Sequence, residues 1–267
     1  MVFACACLAA LFAGSAGAER HTHVFAPLRS ETRATGPTVT STNWAGYAVS
    51  DPAGSTTPTT FTSVTGTWKQ PRAACAKGTT AFSATWVGLG GFSDGSQALE
   101  QIGTSADCSR KGKAIYSAWY ELVPGPAVRI NLKVAAADMI TTSVNVNGST
   151  VLVQVKNRTR HTVFSREVTA ANLDLSSAEW VEEAPATCTS FGNCRVLPLA
   201  NFGRVSMTRG ATIGSAHPGT ISDPAWQATS IRLVPDVSAP SPAGATPSDL
   251  TADGRGFDVV WQPSATG

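Results

Sequence analysis

The residues best suited to chemistry in this chain are carboxylates and one amide, set in short stretches with strand-like spacing. Ser177-Ala178-Glu179-Trp180-Val181-Glu182-Glu183-Ala184-Pro185 holds three glutamates and a tryptophan and stops at a proline. On a strand, alternate side chains share a face. Glu179, Val181 and Glu183 then point one way, and Trp180 and Glu182 the other, with Glu182 expected to face outward. Two carboxylates beside an apolar residue are costly unless they are solvated, paired or functional. Leu99-Glu100-Gln101-Ile102-Gly103 puts Leu99 and Gln101 on one face. Tyr116 to Pro124 puts Trp119 and Glu121 on one face, and Trp86 to Gly91 sets an aromatic ring beside glycines. Each stretch alone reads as ordinary core or solvated strand. Together they describe a cleft on a sheet face with carboxylates, an amide and aromatics, suited to acid–base work on a neutral polymer.

Other motifs carry less. Gly91-Phe92-Ser93-Asp94-Gly95 matches G-x-S-x-G. That elbow works on a strand-to-helix turn, and Ser96-Gln97-Ala98-Leu99-Glu100 does not continue as a helix. The segment reads as a loop. His21 and His23 read as part of a solvated tail. With no C-x-x-C and no histidine beside the cysteines, no metal site is expected. No nucleotide or phosphate motif appears, and no cofactor is expected.

These groups must be held by a scaffold, and the composition bounds it. The chain has 267 residues, enough for one large all-β domain or two small ones. Charged residues make up only 14%, and the formal charge of +2 gives no reason to expect nucleic acid or an anionic membrane as partner. With 18 Asp and Glu in all, few carboxylates are available to be lost to protonation, which is compatible with a protein that works in acid.

Met1 to Ala18 is apolar and small, and Ala16-Gly17-Ala18 forms an A-x-A cleavage site. Residues 1–18 therefore read as a secretory signal peptide and the protein as secreted. Residues 19–40 are polar and irregular and read as a leader or short propeptide. Cys75, Cys108, Cys188 and Cys194 lie beyond the signal segment. An even number in a secreted chain points to two disulfides. Spacing does not fix the pairing; Cys75–Cys108 and Cys188–Cys194 are the pairs expected here.

From residue 41 short strands recur. They read as Trp44–Val49, Phe61–Trp68, Phe82–Gly90, Ala98–Ile102, Ile115–Leu122, Ile140–Val146, Val151–Val155, Val163–Val168, Glu179–Glu183, Gly203–Thr208 and Ile231–Val234. Asn147-Gly148 is a two-residue hairpin signal. No segment has a long helical period. The expectation is an all-β, antiparallel β-sandwich of two large sheets, a single domain over 41–267. A Pro/Ala/Ser linker at 235–248 precedes a last strand at Phe257–Gln262.

The stretches also resemble a known family. Asn43-Trp44-Ala45-Gly46-Tyr47, Trp86-Val87-Gly88-Leu89-Gly90, Leu99 to Gly103, Tyr116 to Glu121, Ala178 to Glu183 and Pro198-Leu199-Ala200-Asn201-Phe202 match motifs of the G1 glutamic peptidases, or eqolisins, in the family's order. Within that resemblance the chain looks like a bacterial-type member. The resemblance implies two large antiparallel sheets and a catalytic pair of one Gln and one Glu, carried here by Gln101 and Glu183. It makes Trp44, Trp86, Trp119, Glu121 and Glu179 candidate substrate-binding residues. Two positions depart from the pattern: Glu182 stands where the family carries an apolar residue, and Gly90 where fungal members carry an Asp.

The implied reaction is peptide-bond hydrolysis. Glu183 takes a proton from the attacking water, the Gln101 amide donates to the oxyanion, and Glu183 returns the proton to the leaving amine. A glutamate of ordinary pKa, about 4.3, is partly ionised near pH 3–4, which favours an acidic optimum. The reading is a secreted, monomeric acid endopeptidase acting on protein or peptide substrates and insensitive to pepstatin. The alternatives are a lectin-like glycoside hydrolase, since paired glutamates and tryptophans also suit that chemistry, and a non-catalytic binding sandwich.

Overall fold

The computed structural model describes residues 30–32, 38–93, 95–188, 194–235 and 243–263. The described strands, in chain order, are β1 (Ser30–Thr32), β2 (Thr38–Ser41), β3 (Trp44–Ser50), β4 (Phe61–Lys69), β5 (Ala84–Leu89), β6 (Leu99–Cys108), β7 (Ala114–Val123), β8 (Val128–Ile130), β9 (Met139–Asn147) and β10 (Thr150–Asn157). They continue as β11 (Thr162–Thr169), β12 (Ser177–Glu183), β13 (Ala186–Cys188), β14 (Cys194–Val196), β15 (Arg204–Gly214), β16 (His217–Gly219), β17 (Gln227–Leu233), β18 (Ala243–Pro247) and β19 (Phe257–Pro263). No helix occurs among the described residues.

Pairing sorts these strands into two layers. The first runs β1–β2–β17–β3–β12–β5–β6–β7–β8. The second runs β11–β10–β9–β4–β15–β19–β18. The layers join at one edge through Leu233 on β17 and Ala245 on β18. Among the named strands only β17–β2 is a parallel pair.

Alternation in the sequence explains the packing. On β9 and β10, Ile140, Val144, Val146, Val151, Val153 and Val155 recur at every second or fourth position and are buried. They meet Val87, Leu89, Ile102, Tyr120 and Trp180 from the first layer in the main core. Each such side chain contributes ~1.5–3 kcal/mol when fully buried. Strands β3, β5 and β12 are buried along nearly their whole length. Their inner face packs in this core, and their outer face carries a second cluster that includes Trp44, Trp86, Leu99, Trp119 and Val181.

The structure extends the expected elements. Strand β6 continues past Ile102 to Cys108, because β7 pairs with it over its whole length. Residues 30–32 and 38–41 enter the first layer as β1 and β2, so the tail end of the expected leader is part of the sheet. Five residues of the expected linker are strand: β18 pairs with β19 and closes the seam between the layers. Cys75 and Cys108 form a disulfide. Cys194 is disulfide-bonded, and Cys188 is its register partner across β13–β14. The expected signal segment, His21 and His23, and residues 189–193 lie outside the described residues. The β9–β10 hairpin forms where expected, but its two turn residues are Gly148 and Ser149, one position on from Asn147-Gly148, because Asn147 pairs with Thr150 as the last residue of β9.

Candidate active site

Backbone register sets the site out as rows across the outer face of the first layer. One row passes from Glu179 on β12 through Gly88 on β5 and Gln101 on β6 to Glu121 on β7. The next holds Val181, Trp86, Gly103 and Trp119. The third holds Trp44, Glu183, Ala84, Ser105 and Ser117. The alternation expected for Glu179 and Glu183, for Leu99 and Gln101, and for Trp119 and Glu121 therefore delivers all of these groups to one face. Gln101, Glu121, Glu179 and Glu183 are each 0% exposed.

Trp86 lies between the two ends of the site. Its indole Nε1 donates to Glu183 Oε2 at 2.8 Å. At its other end, Cζ3 comes within 2.9 Å of where a Cβ on Gly88 would stand, and Gln101 Cβ lies 3.2 Å from that same point. A side chain at residue 88 would have to displace the indole or Gln101. Trp44 meets Trp86 edge to face, with ring centroids 4.9 Å apart. Asn43 Nδ2 donates to Glu183 Oε1 at 3.4 Å, so each carboxylate oxygen faces a donor. Asn43 is fixed in turn: Ser41 Oγ donates to its Oδ1 at 2.8 Å, and its carbonyl accepts from the Ala184 N–H at 2.8 Å. Gln101 Nε2 donates to Glu121 Oε2 at 3.2 Å. This bond uses one amide hydrogen and leaves the second for another acceptor.

The carboxyls divide by environment. Burial holds Glu179 well above the usual carboxylate range; the Ser177 hydroxyl works against this, and the charges of Asp174 and Glu100 reinforce it. Glu100, on the reverse face from Gln101, is pushed up to about 8 by burial and then by Asp174. Asp174 goes the other way. Burial opposes its ionisation, but hydrogen bonds from Ser176, Ser96 and the Gly91 N–H hold its pKa below the ordinary value. Its Oδ2 accepts from Gly91 N at 3.2 Å and from the Ser96 hydroxyl, and its Oδ1 from Ser176 N at 3.0 Å.

Glu182 does not face outward as the alternation was read. It is 1% exposed. The second face of β12 is the inner one, so Glu182 points between the layers. There Thr85 Oγ1 donates to its Oε2 at 2.5 Å. Thr85 is its register partner, and Thr104 follows on β6, where it accepts from Trp68 Nε1 at 3.0 Å. Burial pushes Glu182 up to about 8, against the Thr85 and Ser83 hydrogen bonds. A neutral carboxyl in a polar row explains how a glutamate is tolerated in the core.

Known proteins match this arrangement. The model of the Peptidase A4 family matches residues 42–237. The chain belongs to the Peptidase A4 family. It is therefore a glutamic peptidase of the G1, or eqolisin, group. Scytalido-glutamic peptidase bound to a peptide-based transition-state analogue superposes with a TM-score of 0.65 at 21% identity, over 82% of this chain and 98% of that one. SCP-B, an eqolisin in complex with the tripeptide Ala-Ile-His, gives 0.62 at 20% identity over 82% and 98%. Aspergilloglutamic peptidase from Aspergillus niger gives 0.54 at 22% identity over 68% and 99%. At these identities the likeness shows the fold. A comparison with curated proteins finds no match.

In this A4 peptidase the sequence reading passed over two groups near the site. Asn43 opens the Asn-Trp-Ala-Gly-Tyr stretch, and its Ser41-x-Asn43 turn chemistry was the available signal. Asp174 had none, since it belongs to the loop before β12 and reaches Gly91 and Ser96 only through the fold. The described residues of the G-x-S-x-G segment lie in neither strand nor helix, and Ser93 Oγ lies 3.1 Å from Ser176 Oγ.

Proposed function

We propose that this peptidase is a secreted acid endopeptidase in which Glu183 is the general base and Gln101 the oxyanion donor. The observation that carries the reading is the pair of held side chains on one face: Glu183 between the Trp86 and Asn43 donors, and the Gln101 amide anchored on Glu121. Donors on both oxygens orient the carboxylate to accept a proton from water. The water oxygen attacks the peptide carbonyl, and the proton passes to Glu183. The carbonyl oxygen takes the negative charge and accepts from the second N–H of Gln101. Collapse of the intermediate breaks the C–N bond, and Glu183 gives its proton to the departing amine. Trp44, Trp86, Trp119, Glu121 and Glu179 line or support this face. That a transition-state analogue and a tripeptide bind the structural relatives supports a peptide substrate.

Register places Glu179 in the same row as Gln101, which makes it the other candidate base. Both glutamates are buried, and what favours Glu183 as base is its pair of donors, Trp86 on one oxygen and Asn43 on the other. Glu179, whose pKa burial holds well above the usual carboxylate range, is assigned to hydrogen-bond substrate as a neutral donor. The test is digestion of casein at pH 3–4 with pepstatin present, comparing wild type with Gln101→Ala and Glu183→Gln. The expected result is pepstatin-resistant cleavage that falls ~10²–10³-fold in Gln101→Ala and at least as far in Glu183→Gln. Near-wild-type rates in either variant remove that residue from the mechanism. Release of reducing sugar without proteolysis would return the glycosidase reading.

A further inference from the structure

The segment after β7 alternates strictly. Ile130, Leu132 and Val134 are buried in the main core, while Arg129, Asn131 and Lys133 between them are exposed. Arg129 is the register partner of Trp119, so it extends the row that holds Trp86 and Gly103. Next to it opens a cavity of about 480 Å³ whose lining includes Ser117, Arg129, Asn131 and Lys133. Ser117 in turn ends the row that starts at Glu183 and passes Ala84 and Ser105. Three strand spacings separate Ser117 from Glu183, ~14 Å at ~4.8 Å per strand, which an extended peptide covers in about four residues.

The cavity is cationic. The ion pairs among the described residues are Arg160–Asp138, Arg204–Asp258 and His217–Asp223, so neither Arg129 nor Lys133 is neutralised by a salt bridge. Two acids share the surroundings: Glu121, two residues from Trp119 on the same face of β7, which accepts from Gln101, and Asp107, two residues beyond Ser105 on the same face of β6. Burial pushes Asp107 up to about 7, against the Ser83 backbone and the Arg129 charge, so in acid it carries its proton.

We infer that this cavity is a substrate subsite for an anionic side chain, about four residues from the bond that is cut. Arg129 offers a planar fork of donors matched to a carboxylate or phosphate, Lys133 a second charge, and Ser117 and Asn131 neutral hydrogen bonds. The inference rests on the assignment of Glu183 as the catalytic carboxylate, because the spacing is counted from it.

The test uses quenched fluorescent peptides of one neutral sequence, with Asp, phosphoserine, Asn or Lys placed in turn three, four and five residues to either side of the cleaved bond, assayed at pH 4.5–5. At one of these positions the Asp and phosphoserine peptides are expected to be cleaved with kcat/KM roughly tenfold above the Asn peptide, with Lys below it. In the Arg129→Gln/Lys133→Gln variant that preference collapses, while the Asn peptide is cleaved as by wild type. Equal cleavage of all peptides by wild type overturns the subsite, and so does a preference that survives in the double variant. Full activity of Glu183→Gln on the Asn peptide is a different result: it overturns the catalytic assignment and, with it, the spacing on which the subsite was placed.

Discussion

Asp174 fills the space in front of Gly90. A Cβ added to Gly90 would stand 2.7 Å from Asp174 Cβ and 3.0 Å from its Cγ, and would collide with its carbonyl oxygen. Gly90 also has a φ of 83°, in the left-handed region that favours glycine. The position that departs from the fungal pattern is thus closed to any side chain, and a carboxylate from the loop before β12 reaches the same place. Gly90→Ala is expected to cost ~2 kcal/mol or more, from strain and overlap together. Thermal unfolding followed by circular dichroism measures it. An unchanged Tm would mean that the loop yields freely.

Trp86 is assigned to orient Glu183, so Trp86→Phe should damage catalysis more than folding. Loss of one hydrogen bond to a charged acceptor is worth ~1.5–3 kcal/mol, or ~10–100-fold in kcat if it acts in the transition state. KM is expected to change little. Steady-state kinetics on a short peptide separates the two parameters. A rise in KM at constant kcat would move Trp86 from positioning to substrate binding.

The buried carboxyls make stability depend on pH. Glu100 and Glu182 are raised to about 8 and Asp107 to about 7, each by burial, and Glu179 is raised well above its usual range. A carboxyl whose folded pKa is raised binds more protons folded than unfolded between the two values, so stability falls as pH rises. The contribution is complete near pH 4 and is lost as pH climbs through 7–8. Tm should therefore drop from pH 4 to pH 8. Glu182→Gln, which keeps a neutral group beside Thr85, should flatten that drop. A wild-type Tm that rises over this window would contradict the burial of these groups as neutral acids.

The Cys75–Cys108 disulfide closes a loop with a sequence separation of 33. In the chain-entropy account such a link stabilises by about 3–4 kcal/mol. Cys75→Ala/Cys108→Ala is expected to lower the urea midpoint, with a modest rise in the m-value because the unlinked denatured chain is more expanded. A midpoint equal to wild type would show that the link adds nothing to what the β6–β7 pairing already holds.

Asn157 begins an Asn-Arg-Thr sequon, yet it is 0% exposed and donates to the Lys133 carbonyl at 3.0 Å and to Asp138 at 2.8 Å. Expression in a glycosylating host should leave Asn157 unmodified. The chain's other sequon is Asn147-Gly148-Ser149, so intact-mass analysis of the Asn147→Gln variant checks this: any remaining N-glycan would have to sit on Asn157.

The sequence by itself determined what is local to a strand. A period of two is visible in ten residues, so the shared faces of Glu179 and Glu183, of Leu99 and Gln101, and of Trp119 and Glu121 were legible before any fold was known. So were most strands, the β9–β10 hairpin to within one residue and the family, through its ordered motifs. Only the tertiary structure decided what those faces meet. Alternation says that Glu182 opposes Glu183, but not that its side of the sheet is the interior. It says nothing of register, which places Trp86 beside Glu183, Glu121 beside Gln101 and Arg129 beside Trp119. Nor does any nearby residue announce that Asp174 closes on Gly90. Register and burial arise where segments far apart in the chain compete to cover one another, and no local window contains that competition.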